Sequence, residues 1–173
     1  MDATQFWHVI GTFDWSQEGD DEAVIAPAVA ALADRSEEEI QAFSDLLAGF
    51  LYALDTREHA RYGYLGEADP DNGDDYISAD AFLYLRCVVV ANGREFYEAV
   101  LADPTRMPKG DLEFESLLSV DREAYLAKTG EDYDYLAEPS YESFSNAEGW
   151  APAGGRAGRF TGDDVPPMNR RPL

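Results

Sequence analysis

Apolar residues along this chain recur at intervals of three and four, and almost nowhere at intervals of two, so the elements it predicts are helices. The clearest is the stretch after Ser36. Ile40, Phe43, Leu46, Leu47, Phe50, Leu51 and Leu54 keep that spacing to about Thr56. Ser36 and Glu39 form a capping box, and Glu37, Glu38 and Glu39 stand at the positive helix end. The opening "DATQFWHVIGTF" places Phe6, Trp7, Ile10 and Phe13 at helical spacing behind Asp2 or Thr4 as cap. "DDEAVIAPAVAALADR" repeats the pattern with Val24, Ala28, Val29 and Leu32, and Pro27 inside it predicts a kink or a later start.

The second half is more broken. "RYGYLGEADPDNGDDYI" (61–77), with three glycines, Pro70 and a run of Asp and Asn, predicts a loop. Ser78 then caps a helix through Phe82, Leu85, Val88 and Val89, with Asn92-Gly93 as its left-handed stop. Its three consecutive valines also suit a strand, and the cap with the spacing decides for helix. "REFYEAVLADP" predicts a short helix closed by Pro104, and "LEFESLLSVDREAYLAKTG" another, stopped by Gly130. From about Glu138 the composition turns polar, and 151–173 is rich in Gly, Pro and Arg. The expected architecture is all-α: one compact domain over 1–150, of five to seven helices, followed by a loose, extended tail over 151–173.

Length and composition agree with one domain and a single core: 173 residues, 45% apolar and 13% aromatic. Charge changes the picture more. Thirteen Lys and Arg face 35 Asp and Glu, a net −22. Such a surface repels phosphate backbones and anionic lipid, which argues against direct nucleic-acid or membrane binding and for a basic protein partner. The scarcity of lysine and the acid excess also fit a GC-rich genome or a salty cytoplasm. The tail is opposite in sign, with Arg156, Arg159, Arg170 and Arg171 against Asp163 and Asp164. Neither a basic-then-apolar start nor an 18-residue apolar stretch occurs, so the expected location is cytoplasmic.

Candidate chemistry is thin. The acidic loop read from Asp69 departs from the EF-hand pattern, with Gly73 at position 5, Asp74 at position 6 and Asp80 at position 12. His8 and His59 have no ligand-spaced partner, and a lone Cys87 beside an apolar helix face reads as core. No Gly-rich phosphate loop is present. No metal and no cofactor are therefore expected, and no catalytic residue is assigned. Arg86 stands out, because a guanidinium among Leu85, Val88 and Val89 must snorkel or find a partner. A structural ion pair to another helix is one reading, and an anion contact the other. Tyr133 and Tyr135, with Tyr141, mix aromatic and acidic character in a way that suits either a protein interface or packing onto the helices.

In this order the pieces resemble a bacterial family, domain of unknown function 4240. The likeness rests on "FWHVI", on Ser78, Asp80, Phe82, Tyr84, Arg86, Gly93, Tyr97, Asp103 and Pro104, on "FESLLSVDREAYLAKTG", and on the closing "EGW". It spans roughly residues 4 to 150. Val88 stands where the family pattern has tryptophan and Ala79 where it has a second acid, which bears on any site built from that turn more than on the fold. The resemblance implies a helical domain, an architectural charge at Arg86 and a helix stop at Gly93, and carries no activity with it. Asp80, Arg86, Tyr97, Tyr133 and Tyr135 are thus the candidate binding or structural residues. The expected function is a non-catalytic acidic module, immunity-, inhibitor- or regulatory-subunit-like, that docks a basic partner. A DNA mimic, and a small-molecule binder or enzyme using Arg86 with nearby carboxylates, are the alternatives.

Overall fold

A computed structural model of the chain describes residues 1–63, 78–109 and 112–151. Among them lie eight α-helices and no strand: α1 (Ala3–Ile10), α2 (Asp21–Ala33), α3 (Glu37–Ala53), α4 (Arg57–Gly63), α5 (Ala79–Ala91), α6 (Arg94–Ala102), α7 (Val120–Thr129) and α8 (Ala147–Trp150). The all-α expectation holds. The count exceeds five to seven through two short helices, α4 and α8. The tail expected over 151–173 lies outside the described residues except for Ala151, and so does the acidic loop up to Ile77.

The caps explain the starts. Asp2 accepts from the Gln5 N–H while Gln5 reaches back to the Asp2 N–H, and Ser36 and Glu39 do the same for α3. Asp20 starts α2, which runs straight through Pro27 with that ring on the exposed side. The stops differ more from expectation. Gly93 has φ 90° and ψ 174°, so it opens α6 rather than ending α5 in a left-handed turn. Gly130, at φ 76° and ψ 10°, is the true left-handed stop, of α7. The segment before α7 is a 3-10 turn, Glu115–Ser119, and not the first turn of one longer helix. Arg61, Tyr62 and Gly63, expected in the loop, complete α4; Gly63 packs so closely that a Cβ would lie 2.7 Å from Leu85 Cδ2.

Helix α3 is the axis of the core. Phe6 of α1 meets Phe43 and Phe50 at 4.8 and 4.9 Å between ring centroids, Trp7 adds a layer, and α2, α5 and α7 close the remaining sides. Ile25, Leu32, Ile40, Leu51, Leu54 and Leu117 are wholly buried. None of the described helices is long and apolar enough to cross a membrane.

Candidate functional site

Any helix ends with four carbonyls that lack intrahelical donors, and with the negative end of its dipole. In α3 three of these carbonyls, of Phe50, Leu51 and Tyr52, are buried or half-buried, and side chains from three directions converge on them. The Tyr97 hydroxyl of α6 donates to the Phe50 carbonyl at 3.3 Å. Arg86 Nη1 of α5 donates to Leu51 at 2.8 Å, and Asn146 Nδ2 to Tyr52 at 3.2 Å. Arg86 is fully buried, and its Nη2 donates to Ser143 Oγ at 2.8 Å, which itself donates to the Ala79 carbonyl. Its guanidinium carbon stands 4.8 Å from the centre of the Phe82 ring. No carboxylate among the described residues lies within 4.0 Å, so the expected structural ion pair is replaced by a guanidinium set on a helix C-terminus. Burial lowers its pKa, opposed chiefly by the Asp55 charge. Its Nε has no hydrogen-bond partner among the described residues.

Asp55 is the counterpart that sequence reasoning missed. Fully buried just past the end of α3, it accepts from the Phe144 and Asn146 amides at 3.0 and 2.9 Å, from the Trp150 indole at 2.8 Å and from the Ser145 hydroxyl at 3.4 Å. Phe144, at φ 71°, turns the chain so that these donors face one carboxylate. Gly149 completes the fit, since a Cβ there would lie 2.7 Å from Thr56 Cγ2 and 2.9 Å from the Asp55 carbonyl. One sequence signal pointed to Asp55: an acid after a helix C-terminus faces the negative end of the dipole and needs donors from elsewhere.

The chain from 131 to 146 is a strap with no regular structure, and its part before Ser143 lies against the middle of the same helix. It does not close fully on the bundle. Between them is a cavity of about 570 Å³, with Ser44 and Leu47 from α3, Leu118 from the 3-10 turn, and Asp121 and Arg122 from α7. The strap supplies Tyr133, Tyr135, Glu138, Tyr141 and Glu142 to it, and Leu136 at its rim is 87% exposed. A hydroxyl has one proton, so Ser44 in donating to Asp121 Oδ2 accepts from the Tyr133 hydroxyl at 2.9 Å. Tyr135 donates to Asp45 at 2.9 Å. The Tyr133 and Tyr135 rings stand 6.0 Å apart and 31° from parallel, with Tyr125 behind Tyr133 at 4.9 Å. Burial raises Asp121 above the usual aspartate value, against hydrogen bonds from Ser44 and the Arg122 amide. Burial also pushes the Tyr133 phenol up to about 12.

The five candidates therefore fall in three places. Arg86 and Tyr97 meet at the α3 C-terminus, Tyr133 and Tyr135 line the cavity, and Asp80 stands exposed in the first turn of α5, favourable to that helix dipole. With Arg86 and Tyr97 serving the fold behind "FWHVI", comparison with family models is decisive. The chain belongs to the DUF4240 family. That family, described as a protein of unknown function, matches residues 1–143, ending before the "EGW" that the resemblance included. No curated protein and no solved structure matches the chain.

In this DUF4240 protein His8 stands exposed, and the other reactive side chains, Cys87 and His59, are committed inward. The Cys87 thiol is wholly buried and its pKa is pushed up to about 12 by that burial. His59 joins α4 to α6, with Nδ1 2.7 Å from Thr56 Oγ1 and Nε2 3.3 Å from the Val100 carbonyl. Donation from Nε2 to that carbonyl and acceptance at Nδ1 from the threonine hydroxyl define a neutral ring, and burial lowers its pKa accordingly. No group of three or more His, Cys, Asp or Glu side chains suited to a metal occurs among the described residues.

Proposed function

We propose that this protein is a non-catalytic acidic module that binds a basic protein partner, and that the cavity under the strap is part of the surface it uses. One observation carries the reading: the cavity joins Tyr133, Tyr135 and Tyr141 to Asp121, Glu138 and Glu142, with Arg122 as the one cation in its lining. Aromatic contact area beside unpaired carboxylates is the composition that receives arginine and lysine. The wider surface supports it. Among the described residues only Arg35–Glu39 and Arg94–Glu98 form ion pairs within 4.0 Å, both within single helices. Most acids are thus free to attract a basic surface over about a Debye length, roughly 8 Å at physiological salt.

This reading is preferred to DNA mimicry because the lining mixes tyrosine and an apolar floor with its charges, whereas mimicry needs a regular row of phosphate-like groups. It gives Arg86 no ligand, since that side chain is fully buried. The test is titration of the full chain with an arginine-rich peptide and an acidic peptide of equal length, from low to high sodium chloride. The basic peptide should bind, and weaken steeply as salt rises, while the acidic peptide should not bind. Failure of the basic peptide to bind even at low salt would end the proposal.

A further inference from the structure

Apart from the Arg86 Nε, the buried polar side chains elsewhere in the described structure are spoken for. Arg86 and Asp55 hold the strap, His59 and Cys87 are buried in the core, and Asp14 and Asp103 cap local turns through Ser16 and Thr105. Asp121 is the exception. Its carboxylate offers about four acceptor positions, and Ser44 and the Arg122 amide occupy two. It lies half-buried in the cavity, at the end of the relay from Tyr133 through Ser44 to Asp121, where Ser44, by donating to the carboxylate, becomes a better acceptor for Tyr133.

We propose that the cavity is a receptor for one cationic side chain, arginine or lysine, of the basic partner, with Asp121 as its counter-charge and Tyr133 and Tyr141 as its aromatic wall. This rests on the reading of the chain as a binder of basic proteins, and it adds the residue that the site recognises. At about 570 Å³ the space falls within the range of small-ligand pockets, enough for a long side chain and part of its neighbour. Leu47 and Leu118 suit the aliphatic stem of such a side chain. Leu136, almost wholly exposed at the rim, offers apolar contact to the residue beside it. Arg122 lines the same space and is a competitor carried by the protein itself.

Burial alone makes the ionised Asp121 costly, and an entering guanidinium would supply the compensation that Arg122 gives only in part. The roles of Asp121 and Arg122 are therefore opposite in sign, and each outweighs an equal charge change elsewhere on the acidic surface.

The experiment uses the full chain and two probes: the arginine-rich peptide, and a short blocked peptide with a single arginine between leucines, beside its citrulline counterpart. Amide chemical shifts and calorimetry report binding. The single-arginine peptide should shift the resonances of Asp121, Tyr133 and Leu136, and the uncharged citrulline peptide should not. Asp121→Asn should weaken binding about tenfold or more, the value of one charged hydrogen bond. Arg122→Gln should strengthen it, and Glu18→Gln, an equal charge change at a distant exposed position, should leave it within about twofold. These variants are compared with the parent at a pH and temperature where all are folded, as judged by circular dichroism. If the arginine-rich peptide binds parent and Asp121→Asn equally, the module reading survives and this receptor is wrong. If neither peptide binds the parent at low salt, both fall together.

Discussion

The C-terminal end and the middle of α3 treat buried polar chemistry in opposite ways. At the C-terminal end Arg86, Asp55, Tyr97, Asn146 and Ser143 exchange hydrogen bonds until nearly every polar atom is paired, and little solvent reaches them. Near the middle Ser44, Asp121 and Tyr133 are linked to one another, yet border open space and leave carboxylate positions unused. A saturated network specifies one arrangement and resists change, whereas an unsaturated one beside a cavity keeps free energy available for a ligand. The same strap serves both: residues 143–150 are pinned to the C-terminal network, and residues 133–142 form the cavity wall. The fixed part holds the open part in place.

The comparison would break first at Arg86. Arg86→Ala removes two hydrogen bonds from a charged donor and leaves the Leu51 carbonyl and the Phe82 face without it, a loss of about 3 kcal/mol or more. Urea denaturation measures this, and a loss below about 1 kcal/mol would show that the guanidinium is incidental.

Asp55→Asn is expected to cost somewhat less, about 2 kcal/mol, because the amide oxygen keeps one of the Phe144 and Asn146 donors while the NH2 group meets the other, and no charge strengthens either bond. Hydrogen exchange should quicken at those two amides before it quickens in α2 or α7. Uniform quickening would mean that Asp55 does not pin the strap.

Tyr97→Phe deletes one hydroxyl bonded to the Phe50 carbonyl, for about 1 kcal/mol, with the aromatic packing on Trp7 and Phe50 retained.

The smallest effect sharpens the other side. Asparagine at 121 keeps an acceptor for the Arg122 amide and a partner for Ser44, while it removes a buried charge. Burial raises the folded-state pKa of Asp121 above its ordinary value of 3.8, so the folded protein holds that proton more tightly than the unfolded chain does. Its contribution to stability therefore declines as pH rises from about 3.8 through the folded value. The groups facing it are Arg122 on its own helix, Ser44 from α3, and Tyr133, Tyr141 and Glu142 from the strap; Arg122 alone among them opposes the shift by its charge. Asp121→Asn should gain relative to the parent between pH 4 and pH 7, measured as the difference in denaturation midpoints. A relative loss over that range would reverse the electrostatic account of the cavity. Stability that rises when a charge is removed, with binding lost, is what a site kept for function shows.

Much of the helical plan is local and was legible. Ser36 with Glu39, Asp2, Ser78 and Gly130 mark helix ends by chemistry that acts within four residues, and the 3–4 spacing in α3 and α5 marks the faces that pack. Helix α4 was hidden by Gly63, which reads as a loop residue until the close approach of Leu85 explains it. In α7 the first turn was expected too early, since spacing alone does not separate a 3-10 turn from α-helix. Of the candidate residues, Arg86 announced itself as a charge in an apolar run. Asp55 and Asp121 did not: the place of Asp55 just past a helix C-terminus was its one signal, and among 35 acids nothing near Asp121 distinguishes it as one that will be half-buried.

By itself, then, the sequence determined the helices, their caps, the apolar faces and the excess of negative charge, all properties set by neighbours along the chain. Only tertiary structure decided which acid meets the strap amides, which carbonyls receive the guanidinium, and where a cavity stays open. Those outcomes depend on groups more than thirty residues apart sharing a few ångströms, as Arg86 with Leu51 and Asp55 with Trp150 do. Desolvation, which sets the worth of each such contact, exists only once the chain has folded around it.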